Sequence, residues 1–528
     1  MTTVGIRLVE GLAARGVEVV FGIPGVHTIE LYRGLAAAEG RIRHVTPRHE
    51  QGAGFMADGY ARVAGKPGVA FVITGPGLTN CLTAMAQARA DSIPMLVVSG
   101  LGRSDTLGKG LGRLHELPDQ GAMVATLCHS ETVTDPRALG EVLDRAFAAM
   151  TGARPGPAHV QISTNMMGAA CPPLPPPAAA GGAVPLPLGR LRSVATALNN
   201  AERVVILAGG GTRGHGPALR ALAEALDAPV IQTVNGRGIL PLGHRLAVPA
   251  SPSLDPVRRL IAEADQILAI GTELGPTDYD MYARGGMPDL SGMIRIDICA
   301  DQLGRHPARL PLRGDAGAVM TALMPMILRS NRSGGLRAAA TREAARAGLA
   351  SLHPALPGQL AMLEAIRSAN PGAIIVGDST QPVYAGNLYY DHDRPGGWFN
   401  AATGFGALGY GPGAAVGAAI AAPGVPVICV VGDGGLQFSP GELRTALDEA
   451  LPITFVVWNN AGFREIAEAM AEAKVAPILG CTPSPLEMES FAFACGMPFL
   501  SIPQDPADLI DALCHPQDGP RLIEIQVR

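Results

Sequence analysis

The 528-residue sequence has no excess of basic charge: 41 Lys and Arg stand against 46 Asp and Glu, a formal net charge of −5. No stretch concentrates positive charge, which argues against the groove a nucleic-acid or membrane-surface binder needs. Its eight cysteines (Cys81, Cys128, Cys171, Cys299, Cys429, Cys481, Cys495 and Cys514) include no CxxC pair. That scatter argues against a disulfide framework and a cysteine-zinc site, and suits a reducing, cytoplasmic compartment. Aromatic residues make up only 4% of the chain, so large anchors are few. One uncharged run, Tyr410 to Gly432, is long enough to imitate a membrane span, but Pro412, Pro423, Gly424 and Pro426 interrupt it. These breakers predict a short Ala/Gly helix followed by a buried strand, with no membrane contact. The N-terminus, from Met1 and Thr2, reads as folded protein.

What is abundant is glycine (67) and proline (45), the composition of a chain that turns often and runs many loops past a small-molecule site. At about 150 residues per domain, the length predicts three to four domains. Up to residue 168, short apolar runs at Val17–Phe21, His44–Val45, Val69–Ile73, Met95–Ser99 and Ala158–Ile162 alternate with helical stretches. This is the rhythm of a parallel sheet covered by helices. A Pro/Ala/Gly stretch at 169–189 predicts a linker. A second α/β unit over 190–331 carries strands near Arg203–Ala208, Pro229–Gln232, Gln266–Ile270 and Met293–Asp297. A charged, Ala-rich helical connector at 332–357 leads to a third unit over 358–528, with strands at Ala373–Val376, Val427–Val431, Thr454–Trp458 and Arg521–Gln526. The fold class expected is α/β, with three doubly wound parallel-sheet domains.

Gly432-Asp433-Gly434-Gly435 follows one apolar strand, and Asn459-Asn460 ends the next, with Asp433 and Asn460 27 residues apart. That spacing suits one strand-helix-strand unit and brings both residues to the carboxyl-end edge, where ligands bind in open α/β sheets. A carboxylate and an amide oxygen, with phosphate oxygens, suit Mg²⁺. The glycines let backbone amides approach a diphosphate where a helix, expected to open near Pro440, begins. Gly-Asp-Gly alone is a common turn, so the pairing with Asn460 carries the signal. Glu50, in Arg48-His49-Glu50-Gln51-Gly52-Ala53-Gly54, follows a strand and leads into Met56–Arg62. By itself it reads as an acidic residue at a helix start.

Arg48–Arg62, the Gly75-Pro76-Gly77-Leu78-Thr79-Asn80 loop and the Gly432–Asn460 pair together resemble the thiamine diphosphate enzymes of the acetolactate synthase, benzoylformate decarboxylase and pyruvate decarboxylase superfamily. The likeness runs nearly the whole chain, in the family's order of pyrimidine-binding, central Rossmann-like and diphosphate-binding domains. Phe21–Leu35, Gly112–Gln120 and Gly377–Asn387 most resemble the 5-guanidino-2-oxopentanoate (2-ketoarginine) decarboxylase branch.

The resemblance implies that Glu50 hydrogen-bonds the cofactor pyrimidine from a neighbouring subunit, with Pro24, Gly25 and Asn80 nearby. The Gly406 carbonyl would face the 4′-amino group, next to Gly404, and Leu408 would bend the cofactor. Thr380, Gln381, Gly432, Gly434 and Gly435 fall at the diphosphate, and Asp433, Asn460 and the Gly462 carbonyl are the implied Mg²⁺ ligands. A homodimer or homotetramer with sites at the subunit interface is implied as well.

The substrate pocket departs from better-known relatives. The paired histidines of pyruvate decarboxylases are missing, and Val26 and Ile73 stand where benzoylformate decarboxylase has serine and histidine. His115, with Glu116 in the Leu114-His115-Glu116 segment, is the expected proton shuttle, and His27 is its competitor. A guanidinium substrate needs an acidic partner, for which Glu465 and Glu468 are the expected groups, although two glutamates at helical spacing also suit a solvated face. Gly209-Gly210-Gly211-Thr212-Arg213-Gly214 satisfies GxGxxG after a strand, but the family's flavin-contacting segment is altered around Leu274–Asp278, so FAD is allowed and not favoured.

The expected activity is therefore non-oxidative decarboxylation of a 2-oxo acid to an aldehyde. Carboligation in the manner of acetolactate synthase is the alternative. It is disfavoured by Thr380-Gln381-Pro382-Val383-Tyr384, where those synthases carry a Gln-His-Gln-Met-Trp type segment. A non-catalytic flavin- or nucleotide-binding homologue is a third reading, which predicts loss of Glu50, Asp433 or Asn460, and all three are present.

Overall fold

A computed structural model describes residues 2–152, 154–179, 185–281 and 285–527. Three six-stranded parallel sheets, flanked by helices, organise the chain. The first comprises β1 (Val19–Gly22), β2 (Arg43–Val45), β3 (Gly68–Val72), β4 (Met95–Leu101), β5 (His129–Val133) and β6 (Pro157–Ser163), in the order β2-β1-β3-β4-β6-β5. β3, β4 and β6 are buried along their whole length, as near-continuous apolar strands covered on both faces must be. The second comprises β7 (Val204–Ala208), β8 (Val230–Gln232), β9 (Ala247–Val248), β10 (Gln266–Ile270), β11 (Ile294–Asp297) and β12 (Leu310–Arg313), in the order β12-β11-β10-β7-β8-β9. The third comprises β13 (Ile374–Gly377), β14 (Trp398–Asn400), β15 (Val427–Gly432), β16 (Ile453–Asn459), β17 (Phe499–Pro503) and β18 (Arg521–Gln526). In it, β13 pairs with β14 and β15 with β16, both parallel.

Every expected strand is present within a residue or two, and five more appear: β5, β9, β12, β14 and β17. Within the stretch expected to be a linker, residues 171–179 carry no helix or strand. Ala170 bridges to Thr3, and a helix opens at Leu188, while residues 180–184 lie outside the described residues. The connector contains the helix Gly334–Leu352, and the next helix, Leu356–Ala369, spans the expected boundary at 358.

The chain gathers into two compact units: residues 1–181, 404–501 and 516–524 form one, and residues 182–403, 502–515 and 525–528 the other. In the first unit, the uncharged run resolves into the buried helix Tyr410–Ala421 and the buried strand β15. Among the described residues no helix is long and apolar enough to cross a membrane.

That helix packs against the helix Glu50–Ala64 at glycines, because a Cβ on Gly417 would lie 2.0 Å from the Met56 carbonyl oxygen and one on Gly59 2.1 Å from that of Ala414. Beside this crossing, the buried Arg62 guanidinium bonds Asp58 Oδ1 at 2.6 Å and Asp91 Oδ2 at 2.7 Å. The Tyr410 hydroxyl donates to Asp58, and Gln87 Nε2 donates to Asp91.

Candidate active site

Glu50 opens the Glu50–Ala64 helix directly after the loop that leaves β2. Its Oε2 accepts from Asn80 Nδ2 at 3.0 Å, and Asn80 sits in the second turn of the helix Pro76–Ala90. Gly77 keeps the approach to Glu50 narrow: a Cβ there would stand 2.7 Å from Ile73 Cγ1 and 3.4 Å from Glu50 Oε1. Burial, reinforced by the Glu50 charge, pushes the Cys81 thiol up to about 12, so it stays protonated beside the carboxylate.

Gln120 anchors the loop behind this group, a role its sequence does not advertise. Fully buried, it accepts from Thr74 Oγ1 (2.7 Å) and Gly75 N (3.3 Å) and donates to the Gly100 carbonyl (2.8 Å) and Gln161 Oε1 (2.9 Å). Thr74, Leu101, Thr106, Arg113, His115 and Gln120 line a small cavity of about 20 Å³, room for roughly one water.

His115, at φ +62°, and His27 are neighbours, with ring centroids 5.3 Å apart and planes at 49°. The Nδ1 atoms of both are buried without a hydrogen-bond partner among the described residues. Burial, then the adjacent His115, lowers the pKa of His27. The two residues read from sequence as competitors thus form one pair. Val26, next to them, is 65% exposed. Glu116 closes its own loop by accepting from Arg113 N (3.0 Å) and Leu111 N (3.3 Å), and the Arg113 amide is the main reason its carboxyl lies below the usual range.

A second group forms at the ends of β15 and β16, whose register sets Gly432 opposite Trp458. Asp433, buried, starts a one-turn helix, Asp433–Leu436, so helical backbone begins inside the glycine motif. The helix expected near Pro440 follows separately as Glu442–Asp448. The early turn is sterically possible because Gly434 lies under the Phe463 ring, where a Cβ would come within 2.6 Å of Phe463 Cε1.

Asp433 Oδ1 accepts from Asn460 N at 3.4 Å, and the Gly462 amide also donates to the carboxylate. Burial nevertheless raises the Asp433 carboxyl above its ordinary range. A buried carboxylate beside Asn460 at the strand ends offers a hard oxygen of the kind that suits a divalent cation. Asn459 is committed elsewhere, its Nδ2 donating to Glu524 Oε1 at 2.6 Å.

In the same unit, Gly25 is pressed against Ile73, where a Cβ would stand 2.4 Å from Cγ2, and Pro24 beside it is exposed. Gly404 packs against Ala90, exposed Gly406 has φ +75°, and Leu408 is half-buried. Gln87 Oε1 holds this loop by accepting from Ala407 N at 3.3 Å. Glu465 and Glu468 lie on the helix Arg464–Glu472, which buries none of its residues.

Thr380 and Gln381 belong to the second unit, where they are buried at the start of the helix Gln381–Leu388. There too, Gly209 and Gly211 pack on Gly271, a Cβ on Gly209 falling 2.3 Å from its carbonyl oxygen. That close approach accounts for two of the three GxGxxG glycines, while a Cβ on Gly214 would meet nothing within 4 Å.

A chain with three parallel α/β domains, a glutamate at a helix start in the first and an Asp–Asn pair at strand ends in the last has the layout of a cofactor enzyme with divided binding domains. Residues 2–123, 191–323 and 378–525 match the N-terminal TPP binding, central and C-terminal TPP binding domains of thiamine pyrophosphate enzymes. The probable 2-ketoarginine decarboxylase of Pseudomonas aeruginosa is 42% identical over 90% of this chain and 85% of that protein. The large subunit of Escherichia coli acetolactate synthase isozyme 1 is 29% identical over 98% of this chain and 93% of its own length. Acetolactate synthase of Mycobacterium bovis is 31% identical over 86% of this chain and 75% of its own length. The chain belongs to the thiamine pyrophosphate enzyme family and is a thiamine diphosphate-dependent enzyme.

Proposed function

We propose that this chain catalyses the non-oxidative decarboxylation of a 2-oxo acid to an aldehyde and CO₂, dependent on thiamine diphosphate and Mg²⁺, with 5-guanidino-2-oxopentanoate as the first substrate to test. The observation that carries this reading is the 42% identity to a probable 2-ketoarginine decarboxylase along 90% of the chain. The cofactor, when bound, supplies the electron sink for the pair left behind as CO₂ departs.

In this reading Glu50 holds a proton against the cofactor pyrimidine, with Asn80 fixing one of its carboxylate oxygens. A positioned carboxylate of this kind contributes general acid–base catalysis of about 10²–10⁴-fold. Asp433, Asn460 and the Gly462 carbonyl hold Mg²⁺, while Gly432, Gly434 and Gly435 receive the diphosphate. Pro24, Gly25, Gly404, Gly406 and Leu408 shape the remaining cofactor surface.

His115, with His27 against it, moves protons at the substrate, and Val26 and Glu116 border that pocket. Glu465 and Glu468 offer carboxylates to a guanidinium group. The active assembly is a homodimer or homotetramer with sites at subunit contacts, in the cytoplasm.

The acetolactate synthase relatives favour a second reading, in which the carbon left by decarboxylation joins a second 2-oxo acid. The test is CO₂ release from pyruvate, benzoylformate and 5-guanidino-2-oxopentanoate by protein stripped of cofactor, then resupplied with thiamine diphosphate and Mg²⁺. Release from the guanidino acid that requires both supports the proposal. No release from any acid contradicts it.

A further inference from the structure

Glu442 carries a buried carboxylate, 1% exposed, that serves residues almost four hundred positions earlier. Its Oε1 accepts from the backbone amides of Arg48 and His49, both at 3.1 Å, and its Oε2 lies 3.2 Å from the Arg48 amide. Thr445 Oγ1 donates to Oε2 at 2.9 Å. The two amides belong to the residues immediately before Glu50.

The fit around this contact is close. Gly52 must lack a side chain, because a Cβ there would come within 2.1 Å of Glu442 Oε1, and a Cβ on Gly441 would meet Arg48 Cβ at 2.7 Å. The same short helix also pairs the Arg48 guanidinium with Asp448 and sets Thr445 Oγ1 3.4 Å from the Thr46 carbonyl. Residues 46–49 are thereby clamped from one side, while Asn80 fixes the Glu50 side chain from another.

We propose that Glu442 is a positioning residue for Glu50, its carboxylate fixing the backbone at Arg48 and His49 so that the Glu50 carboxylate is presented in one orientation. The inference rests on the reading of Glu50 as the proton-holding group. Removing the acceptor takes from the Arg48 and His49 amides the partner that ties them to this helix, and the segment loses the contact that fixes it. Displacement by about 1 Å at a catalytic group is enough to cost on the order of 10²-fold in rate.

The test compares Glu442→Ala, Glu442→Gln, Glu50→Gln and the two double variants, as full-length protein. Two readouts are taken: kcat and KM with thiamine diphosphate and Mg²⁺, and hydrogen exchange of the amides of residues 48–53 without cofactor. In Glu442→Ala, the expected results are a kcat about tenfold to a hundredfold lower, KM within about threefold, and exchange accelerated at residues 48–53 but not in β3 or β4. Glu442→Gln, which keeps one acceptor oxygen, recovers most of the rate. Either Glu442 substitution adds nothing to the loss in Glu50→Gln, the signature of two groups acting as one unit.

Losses that multiply in the double variants, or unchanged exchange at residues 48–53, overturn the proposal. If Glu442→Ala fails to fold, Glu442→Asp, which draws the carboxylate back by one methylene, takes its place in the cycle with Glu50→Gln and in the exchange measurement. If Glu50→Gln turns over like the parent protein, the reading of Glu50 fails, and the exchange result still decides whether Glu442 holds the segment.

Discussion

Asn80 Nδ2 donates to Glu50 Oε2 at 3.0 Å, tying the start of one helix to the second turn of another. The bond leaves Oε1 of Glu50 toward the narrow gap at Gly77. On the proposed chemistry, Glu50→Gln lowers kcat by about 10²-fold or more while thiamine diphosphate still binds. Asn80→Ala, which removes a bond to a charged group, lowers kcat by about tenfold to a hundredfold. Steady-state kinetics with calorimetric cofactor titration separates the two effects, and unchanged turnover in Glu50→Gln contradicts the assigned role.

Asp433 supplies the only carboxylate among the proposed metal ligands. Asp433→Ala should therefore abolish Mg²⁺-dependent binding of thiamine diphosphate with the fold retained, as read by calorimetry and circular dichroism. Cofactor affinity that still rises with Mg²⁺ in the variant would place the metal elsewhere.

The Arg62 guanidinium compensates both Asp58 and Asp91 with its side chain wholly buried. Arg62→Met strands two buried carboxylates, for which about 3–5 kcal/mol of destabilisation is expected. A clear fall in the thermal or urea midpoint checks this, and a midpoint equal to the parent's would show that the network contributes little.

His159, between Ser99 and Ser130 with its ring nitrogens 2.8 Å from each hydroxyl, is buried and neutral. Burial lowers its pKa from 6.5 to about 3. The unfolded chain thus binds a proton that the folded chain refuses between these values. Its contribution is complete above pH 6.5 and is lost, at up to about 1.4 kcal/mol per pH unit, as the pH falls toward 3. His159→Gln should flatten the fall of the unfolding free energy across this window, and a slope identical to the parent's would refute the assignment.

The central strands are legible in the sequence because burial on both faces writes them as apolar runs such as Val69–Phe71 and Val427–Val431. The five strands that are not legible, β5, β9, β12, β14 and β17, all lie at sheet edges. There His-Ser-Glu-Thr-Val and Leu-Pro-Leu-Arg tolerate polar residues and proline, since one side carries no ladder.

The glycine motif and Asn460 stand out because their spacing reflects one β-α-β unit. Gln120 and Glu442 do not, because their partners lie 45 and 394 residues away and no local pattern encodes such pairing. The His27–His115 contact is hidden for the same reason, being made by two loops remote in sequence.

The most direct measurement is product analysis after incubating the protein with 5-guanidino-2-oxopentanoate and, in parallel, with pyruvate and benzoylformate, each with thiamine diphosphate and Mg²⁺. The guanidino acid is expected to yield CO₂ and 4-guanidinobutanal in equal amounts, dependent on both cofactors. Formation of acetohydroxy acid from pyruvate in place of aldehyde, or no turnover of the guanidino acid while another 2-oxo acid is decarboxylated, would contradict the proposed activity.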